Sequence, residues 1–560
     1  MRRTWRIAGT ENKDIDSLDD VRRLLFATRN ISEAQQPSFL DPTYEGTVDN
    51  PFGITNMAAA VERLLSAAKH QEDVLIWGDY DADGVSGTAV LVEGLQAVGI
   101  RVTPYLPHRA DEGYGLNLES LKEMIDTFDI LLTVDCGISN PEEVAWVQAK
   151  GKDVIIVDHH EVPATLPPAF AILHPRHSDG VYTTPHLSGA GMGWKLAQAL
   201  LRRTNADDAA EKRLLDLPLL GTLADSMPLV LENRAIVRFG MEILRRTKRP
   251  GLLALMKAAR VNVETMTPRD VAFRIIPAIN AAGRMDHPQA ALDALLARTT
   301  AEGEAAAARL IELNQARREV TARVTQEAME YHDPNLPVVF AFNAAWPPGI
   351  VGIVASKLAE RFRKPAVVMG AGKHAAVGSA RTFGGIDVYA AMENGRKHTV
   401  KLGGHKQAAG VSLMPENMEK FKSAIVEAMG GATEIATEDV VEHRADAVVS
   451  DSLLSWDLQR LTSAFEPFGE GMPEPTFVVR GLVASGVRPV GKTGTHVKMR
   501  LLGPNKEIES IGFGLAERNI ADGQEVDALG TVQLNTFRGN ASLQFQLLDV
   551  GPTGSVTISS

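Results

Sequence analysis

The sequence predicts an α/β protein. A parallel-sheet domain is joined by a long helix to a smaller α/β domain, and a small all-β barrel follows. Three observations carry this reading. Short apolar runs alternate with helical patterns from residue 51 to about 285, the signature of strands in a parallel sheet. The stretch 289–331 is rich in Ala, Glu and Arg and contains no Pro, so it reads as one long helix or a helix pair. Beyond Pro475, short alternating strands separated by Gly turns suggest a barrel.

The elements follow in order. Residues 1–50 are polar and form an N-terminal segment with few strong signals. The first domain is expected over 51–285. Met57 to Lys69 and Gly87 to Val98 read as helices flanking the strand Val74-Leu75-Ile76-Trp77. That strand runs into Gly78-Asp79-Tyr80-Asp81-Ala82-Asp83-Gly84. Ile130 to Val134 ends in Asp135, and Val154 to Val157 ends in Asp158-His159-His160. Leu219 to Ala224, ending in Asp225, is read as a fourth strand. The connecting helix is placed at 286–334. The second α/β domain, 335–432, holds strands at Val338–Phe342 and Ala366–Met369 and a helix from Gly349 to Phe362. The acidic stretch 430–446 reads as a linker, and the barrel is placed in 433–560, with strands at Thr476–Val479 and Ser542–Leu547.

Open parallel sheets bind ligands just beyond the carboxyl ends of their strands. Four strand-like ends would gather five or six Asp and two His at one edge. A lone Asp there is usually a cap or turn former, but this many acids together require cations. Carboxylate with neutral imidazole suits Mn²⁺ or Mg²⁺ better than a thiolate zinc site would. Asp81 and Asp83, two residues apart, are expected to face one cation pair.

Composition narrows the classes. A chain of 560 residues is too long for one core. Cys136 is the only cysteine, which excludes internal disulfides and fits a reducing, cytoplasmic compartment. It reads as a small buried residue and not a nucleophile. No apolar stretch reaches membrane-span length, and the basic start has no apolar core of a signal peptide. The net charge of −12 argues against coating nucleic acid by bulk charge but not against a local basic groove. Between Phe340 and Gly410 there are ten Lys or Arg and three acids, a local net of +7, accompanied by Gly-rich turns.

The ordered set DYDADG, VDCG, DHH and GTLAD resembles the DHH phosphoesterase superfamily. Gly403-Gly404-His405-Lys406-Gln407-Ala408-Ala409-Gly410 resembles the signature of the DHH-associated domain. Three further stretches narrow the resemblance: Arg109 to Leu116 (RADEGYGL), Asn280 to Met285 (NAAGRM) and Pro467 to Pro475 (PFGEGMPEP). Together with the barrel they resemble the RecJ family of 5′→3′ exonucleases specific for single-stranded DNA. The resemblance spans about residues 50–550.

The resemblance implies two divalent cations, Mn²⁺ or Mg²⁺. Their ligands would come from Asp79, Asp81, Asp83, Asp135, Asp158, His159 and Asp225, with Asp135 bridging. Asp81, Asp135 and His160 would be catalytic, His160 contacting the scissile phosphate or protonating the leaving oxygen. Arg109, Ser379 and Arg381 would hold the 5′-terminal phosphate. Tyr114, Asn280, Arg284, Gly403, Gly404 and His405 complete the expected substrate contacts, Tyr114 by stacking on a base. The chain departs from the family pattern at Trp77, Ala278, Pro347 and Met472, where His, Arg, His and Asn are usual. His496, Lys498, Phe537 and Arg538 lie in the part that resembles an oligonucleotide-binding (OB) fold, which grips single strands by stacking and charge.

The expected function is degradation of single-stranded DNA to 5′-mononucleotides in repair and recombination. The domains, bridging helix and barrel are expected to form a ring that admits one strand. Two alternatives belong to the same superfamily: a nanoRNase or phosphoadenosine-phosphate phosphatase, against which the barrel argues, and a non-catalytic single-strand-binding scaffold, against which the retained acids argue. By resemblance the partners are single-strand-binding protein and a RecQ-type helicase. No membrane association is expected, and the default state is a monomer.

Overall fold

The computed structural model describes residues 2–8, 14–206, 208–430, 440–537 and 540–559. They divide into two compact units: one from 48–227 with 231–437, the other from 1–47, 228–230 and 438–560. The expected linker falls mostly outside the described residues, as do Arg538 and the side chain of Phe537.

The larger unit holds two sheets. The first has five parallel strands in the order Arg101–Tyr105, Asp73–Gly78, Ile130–Val134, Asp153–Val157, Ala171–Leu173. Ile130–Val134 is buried along its whole length, which is why it reads as a continuous apolar run rather than an alternating one. Register aligns the carboxyl ends: Gly78 lies beside Val134, Val134 beside Val157, and Val157 beside Leu173. Helices Ala82–Ala97 and Gly189–Arg203 pack through small residues. A Cβ on Gly94 would collide with Ala197, and one on Gly87 would lie 2.7 Å from Val134 and 3.3 Å from Ala190.

The fourth expected strand is a helix. Leu219 to Ala224 belongs to Asp216–Ala224, whose residues 216–222 are all buried. A helix buried on every side has no polar stripe, so its short apolar run is indistinguishable from a buried strand. Residues 289–331 form a helix pair, Gln289–Leu296 and Thr300–Met329. The break is set by Thr299, whose side chain accepts from Glu302 N while Glu302 reaches back to the Thr299 backbone, a capping box. The second sheet runs Lys401–His405, Ala408–Leu413, Ala376–Arg381, Ala366–Ala371, Val339–Phe342, with one parallel pair, the last. Helix Pro348–Phe362 covers one face.

The smaller unit holds the barrel. Strands Phe477–Val490, His496–Leu502, Glu507–Gly512, Asn540–Pro552 and Glu525–Phe537 pair in that sequence, and the last pairs back with the first. This is a closed five-stranded barrel of OB type. Lys498 pairs with Glu509 at 3.1 Å, and His496 packs edge-on to the exposed Phe513. The N-terminal segment is part of this unit. Arg2–Ile7 is the central strand between Val440–Ala445 and Thr557–Ser559, parallel to both. Trp5 is fully buried and donates to Asp549 at 3.0 Å. Among the described residues, no helix is long and apolar enough to cross a membrane.

Inside the larger unit, Lys195 and Glu232 form a fully buried ion pair at 2.7 Å. The ammonium also donates to Asp49 O and Gln198 Oε1, and Glu232 accepts from Tyr182. Removing one partner strands a buried charge, whereas replacing both with apolar groups does not. Lys195→Met is therefore expected to lower unfolding free energy by about 3–5 kcal/mol, and Lys195→Met with Glu232→Met to recover much of it. Urea titration followed by circular dichroism checks both. A single variant as unstable as the double would show that packing, not charge, dominates.

Candidate active site

The aligned strand ends place Asp79, Asp135 and Asp158 side by side, one residue beyond three adjacent strands. Asp81 N-caps helix Ala82–Ala97, accepting from Asp83 N and Gly84 N at 2.9 and 3.2 Å. Asp83 sits in the first turn, fully buried, and accepts from Gly189 N and Ala190 N at 2.6 and 2.8 Å. Two helix N-termini thus face the cluster, as suits negative charge. Asp225 arrives from the C-terminal end of helix Asp216–Ala224.

The donor atoms fall into overlapping sets. Asp83, Asp135, His159 and Asp225 offer ligand atoms all within 4.8 Å of one another, and so do Asp79, Asp81 and Asp135. A third set joins Asp135, His159 and His160, so Asp135 is common to all three. His159 Nε2 lies 3.0 Å from Asp135, 3.5 Å from Asp225 and 3.7 Å from Asp83. Asp135 holds φ of 63°, in the left-handed region where Asp is tolerated better than most residues.

The electrostatics fit a cation centre. Burial, then the charges of neighbouring carboxylates, push Asp79, Asp83, Asp135 and Asp225 well above the usual carboxylate range, Asp83 to about 7. Asp79 Oδ1 is buried and has no hydrogen-bond partner. Burial, then His160, lowers His159 to about 3, which keeps the imidazole neutral, as a metal ligand must be. Crowded acids, an orphaned carboxylate oxygen and a neutral imidazole together suit hard divalent ions.

Asp158, expected as a ligand, stands apart. Oδ2 accepts from Ile138 N, and Oδ1 accepts from the backbone N–H of His159 and His160 and from His160 Nδ1 at 2.8 Å. It belongs to none of the donor sets. Its carboxylate is held at about 2: burial opposes the charge, but the bond to His160 and the backbone donors outweigh it, and it orients His160. In return, although burial opposes the charge, the Asp158 bond raises His160. Tyr114, expected to stack on a base, places its hydroxyl 3.0 Å from His160 Nδ1 and donates to Asp135 O at 3.3 Å. It braces the histidine. The Cys136 thiol is buried and pushed up by that burial, so it is not a thiolate nucleophile.

A basic cradle adjoins the acids. Arg381 donates to Ser379 Oγ at 2.6 Å, and both side chains lie under Gly352, where a Cβ would come within 3.1 and 3.2 Å of them. Arg109 stacks over the Tyr80 ring at 4.8 Å, and its charge acts on Asp79, Arg284 and Arg381. Arg284 donates to Gly349 O. Asn280 accepts from Ala82 N at 2.9 Å, so it anchors the turn that carries Asp81. Gly403, Gly404 and His405 are exposed on the hairpin formed by Lys401–His405 and Ala408–Leu413. Among the described residues, no hydrogen bond or ion pair links them to the acids.

The four departures from the family pattern sit in varied places. Trp77 is core, its Nε1 donating to Gly115 O and its ring 4.5 Å from Tyr105, so it offers no ligand. Ala278 and Met472 are buried, and Pro347 precedes helix Pro348–Phe362. Several supporting residues escaped the sequence reading. A Cβ on Gly221 would collide with Asp83 Oδ1, and one on Gly189 would come 2.5 Å from Asp135 Cβ. Arg176 and His174 bond to the carbonyl of His160. The Gly-rich run Gly189-Ala190-Gly191-Met192-Gly193 was the available signal.

A group whose folded pKa is raised contributes stability below its unfolded pKa that is lost as pH rises through the folded value. For Asp83 that loss ends near pH 7. The melting-temperature gain on adding Mn²⁺ is therefore expected to grow from pH 5 to pH 8. Asp225→Asn is expected to raise the metal-free melting temperature at pH 8 and to shrink the gain. Differential scanning calorimetry checks this, and equal gains at both pH values would contradict it.

Comparison with known proteins follows the same division. Residues 73–222 match the model of the DHH family, N-terminal domain, 335–431 the DHHA1 domain, and 445–549 the RecJ OB domain. The chain is 32% identical to the single-stranded-DNA-specific exonuclease RecJ of Dickeya dadantii over 569 residues, covering 96% of this chain and 97% of that one. It is 32% identical to RecJ of Bacillus subtilis over 560 residues, covering 97% of this chain and 70% of that one. The crystal structure of RecJ from Thermus thermophilus in complex with Mn²⁺ superposes with a TM-score of 0.84 at 27% identity, covering 99% of this chain and 80% of that one. Matching in all three domains, and over nearly the full length of the Dickeya protein, the chain belongs to the RecJ family of single-stranded-DNA-specific exonucleases.

Proposed function

We propose that this chain is a metal-dependent exonuclease that degrades single-stranded DNA from its 5′ end, releasing 5′-mononucleotides. The observation that carries the reading is the three overlapping donor sets that share Asp135 beside the Arg109, Ser379 and Arg381 cradle. Relatives of the same domain order are named single-stranded-DNA-specific exonucleases, and RecJ of Thermus thermophilus has been crystallised with Mn²⁺ and with Mg²⁺. The match to the RecJ OB domain favours this over a nanoRNase or phosphoadenosine-phosphate phosphatase. The retained acids favour it over a non-catalytic scaffold.

Two divalent cations held by Asp79, Asp81, Asp83, Asp135, His159 and Asp225 would activate a water and offset charge at phosphorus. The chain's own groups do the rest. Asp158 fixes His160 through Nδ1, which leaves the opposite ring nitrogen to face the scissile phosphate or protonate the leaving 3′-oxygen. Tyr114 braces the same ring. Arg109, Ser379 and Arg381 supply guanidinium and hydroxyl donors to a terminal phosphate. Anchoring that phosphate fixes which end enters and which bond reaches the acids.

The biological setting is proposed from the family: DNA repair and recombination in the cytoplasm, acting as a monomer alongside single-strand-binding protein and a RecQ-type helicase. A chain with one cysteine, buried, suits a reducing compartment.

Two predictions test the proposal. Asp81→Ala and Asp135→Ala are expected to abolish cleavage of 5′-labelled single-stranded DNA, and His160→Ala to slow it by about 10²–10⁴-fold. All three should keep the wild-type circular dichroism spectrum. Chelator is expected to stop the wild-type enzyme, and dinucleotides and phosphoadenosine-phosphate to be poorer substrates than long strands. Activity surviving chelation would remove the cation reading.

Arg381→Ala is expected to lower kcat/KM on 5′-phosphorylated ends by about 10- to 100-fold, the loss of a charged hydrogen bond of ~1.5–3 kcal/mol. Its effect on 5′-hydroxyl ends should be smaller. Degradation starting from the 3′ end would overturn the assignment of the cradle.

A further inference from the structure

The members of the terminal-phosphate cradle are held by different means. Ser379 and Arg381 stand on strand Ala376–Arg381, which is paired along its length on both sides. Arg109 stands in the loop between strand Arg101–Tyr105 and helix Leu118–Met124. A site residue on a loop needs neighbouring side chains to fix it. The chain beyond Arg109 also turns through Gly113 and Gly115, whose φ values are 81° and 87°.

Glu112 supplies the fixing bonds. Its Oε1 accepts from His108 N at 2.6 Å, and its own N–H donates to His108 O at 2.9 Å. The residue before Arg109 is thus gripped at both its N–H and its carbonyl. Oε2 accepts from the Tyr105 hydroxyl and from Ser120 Oγ, each at 2.6 Å. One carboxylate therefore ties the strand end, the turn and the following helix together. Burial, then the bond to Glu112, pushes Tyr105 up to about 12, so the phenol stays protonated and donates. Hydrogen bonds to an ionised acceptor are roughly twice as strong as neutral ones.

The far end of the loop is held separately. Gly115 O accepts from Trp77 Nε1 at 3.3 Å, and Leu116 N donates to Asn140 Oδ1 at 3.2 Å. Tyr114, which braces His160, adjoins that end. Loosening Glu112 therefore frees Arg109 before it frees the histidine.

We infer that Glu112 is a positioning residue for Arg109, and that it sets the preference for strands with a 5′-phosphate over strands with a 5′-hydroxyl. It acts through the turn 108–112, which keeps the Arg109 guanidinium stacked on Tyr80, and not on the substrate itself. The inference rests on the cradle reading above.

The test compares the two kinds of end. Binding of 3′-fluorescein-labelled dT oligomers, with a 5′-phosphate or a 5′-hydroxyl, is followed by anisotropy with the full chain in chelator. On the same oligomers kcat and KM for release of the first nucleotide are measured with Mn²⁺. Glu112→Ala is expected to weaken binding of phosphorylated ends about 10-fold, the effect of one lost charged hydrogen bond, and of hydroxyl ends much less. On phosphorylated ends kcat/KM should fall by a similar factor, with the loss in KM. Glu112→Gln keeps an acceptor for His108 N and can donate to both hydroxyls, so it is expected to keep most of the discrimination. A carboxylate that served only stability would lower both ends alike. Equal losses on the two ends, or no loss in Glu112→Ala, overturn the inference. Glu112→Ala added to Arg109→Ala is expected to cost phosphorylated ends little more, because residues that act as a unit are not additive. Full additivity also overturns it. If Glu112→Ala does not fold by circular dichroism, Tyr105→Phe with Ser120→Ala takes its place, removing two of the three side-chain partners of the carboxylate. Unchanged discrimination in that folded variant overturns the inference. A wild type that does not distinguish the ends would instead strike the cradle reading on which the inference rests.

Discussion

Like-charge repulsion is the constraint on which the larger unit is built. Asp79, Asp83, Asp135 and Asp225 are buried together, and each is pushed toward its neutral form by burial and by the others. The fold holds this arrangement with devices that a neutral site would not need. Two helix N-termini point at it, glycines at 189 and 221 clear room for carboxylates, and Asp135 occupies left-handed backbone space. Five parallel strands supply the rigid edge. The site gives up stability that cations restore, which ties occupancy of the centre to integrity of the fold.

Charge is also separated with care. The acids gather at the sheet edge, while the charge of Arg109 acts on Asp79 and on the guanidinium groups of Arg284 and Arg381. Asp81 and Arg284 interact across the divide. The overall charge of −12 conceals this local division, which is why composition alone says little about the partner.

The strand-end acids were legible because a fully buried strand leaves a bare apolar run, and the polar residues after it stand out. Asp225 was legible as a site residue but not as the end of a helix, since Asp216–Ala224 is buried all round and shows no period. The roles of Asp158 and Tyr114 were not legible at all. Whether a carboxylate binds metal or orients a histidine depends on which backbone N–H groups reach it, and Ile138 N comes from another loop. The N-terminal strand was hidden for a different reason: its partners, Val440–Ala445 and Thr557–Ser559, lie at the far end of the sequence, and no local pattern reports such a pairing.

That pairing governs how the chain is made. The larger unit is an insertion between pieces of the smaller one. On the ribosome, at roughly 5–20 residues per second, the strand Arg2–Ile7 waits about 20–90 s for its neighbour at Val440. Its other neighbour, Thr557–Ser559, is synthesised later still. The larger unit is therefore synthesised before the strands that close the three-stranded sheet of the smaller one. Through that interval Trp5, fully buried in the finished protein, lacks the strands that later cover it.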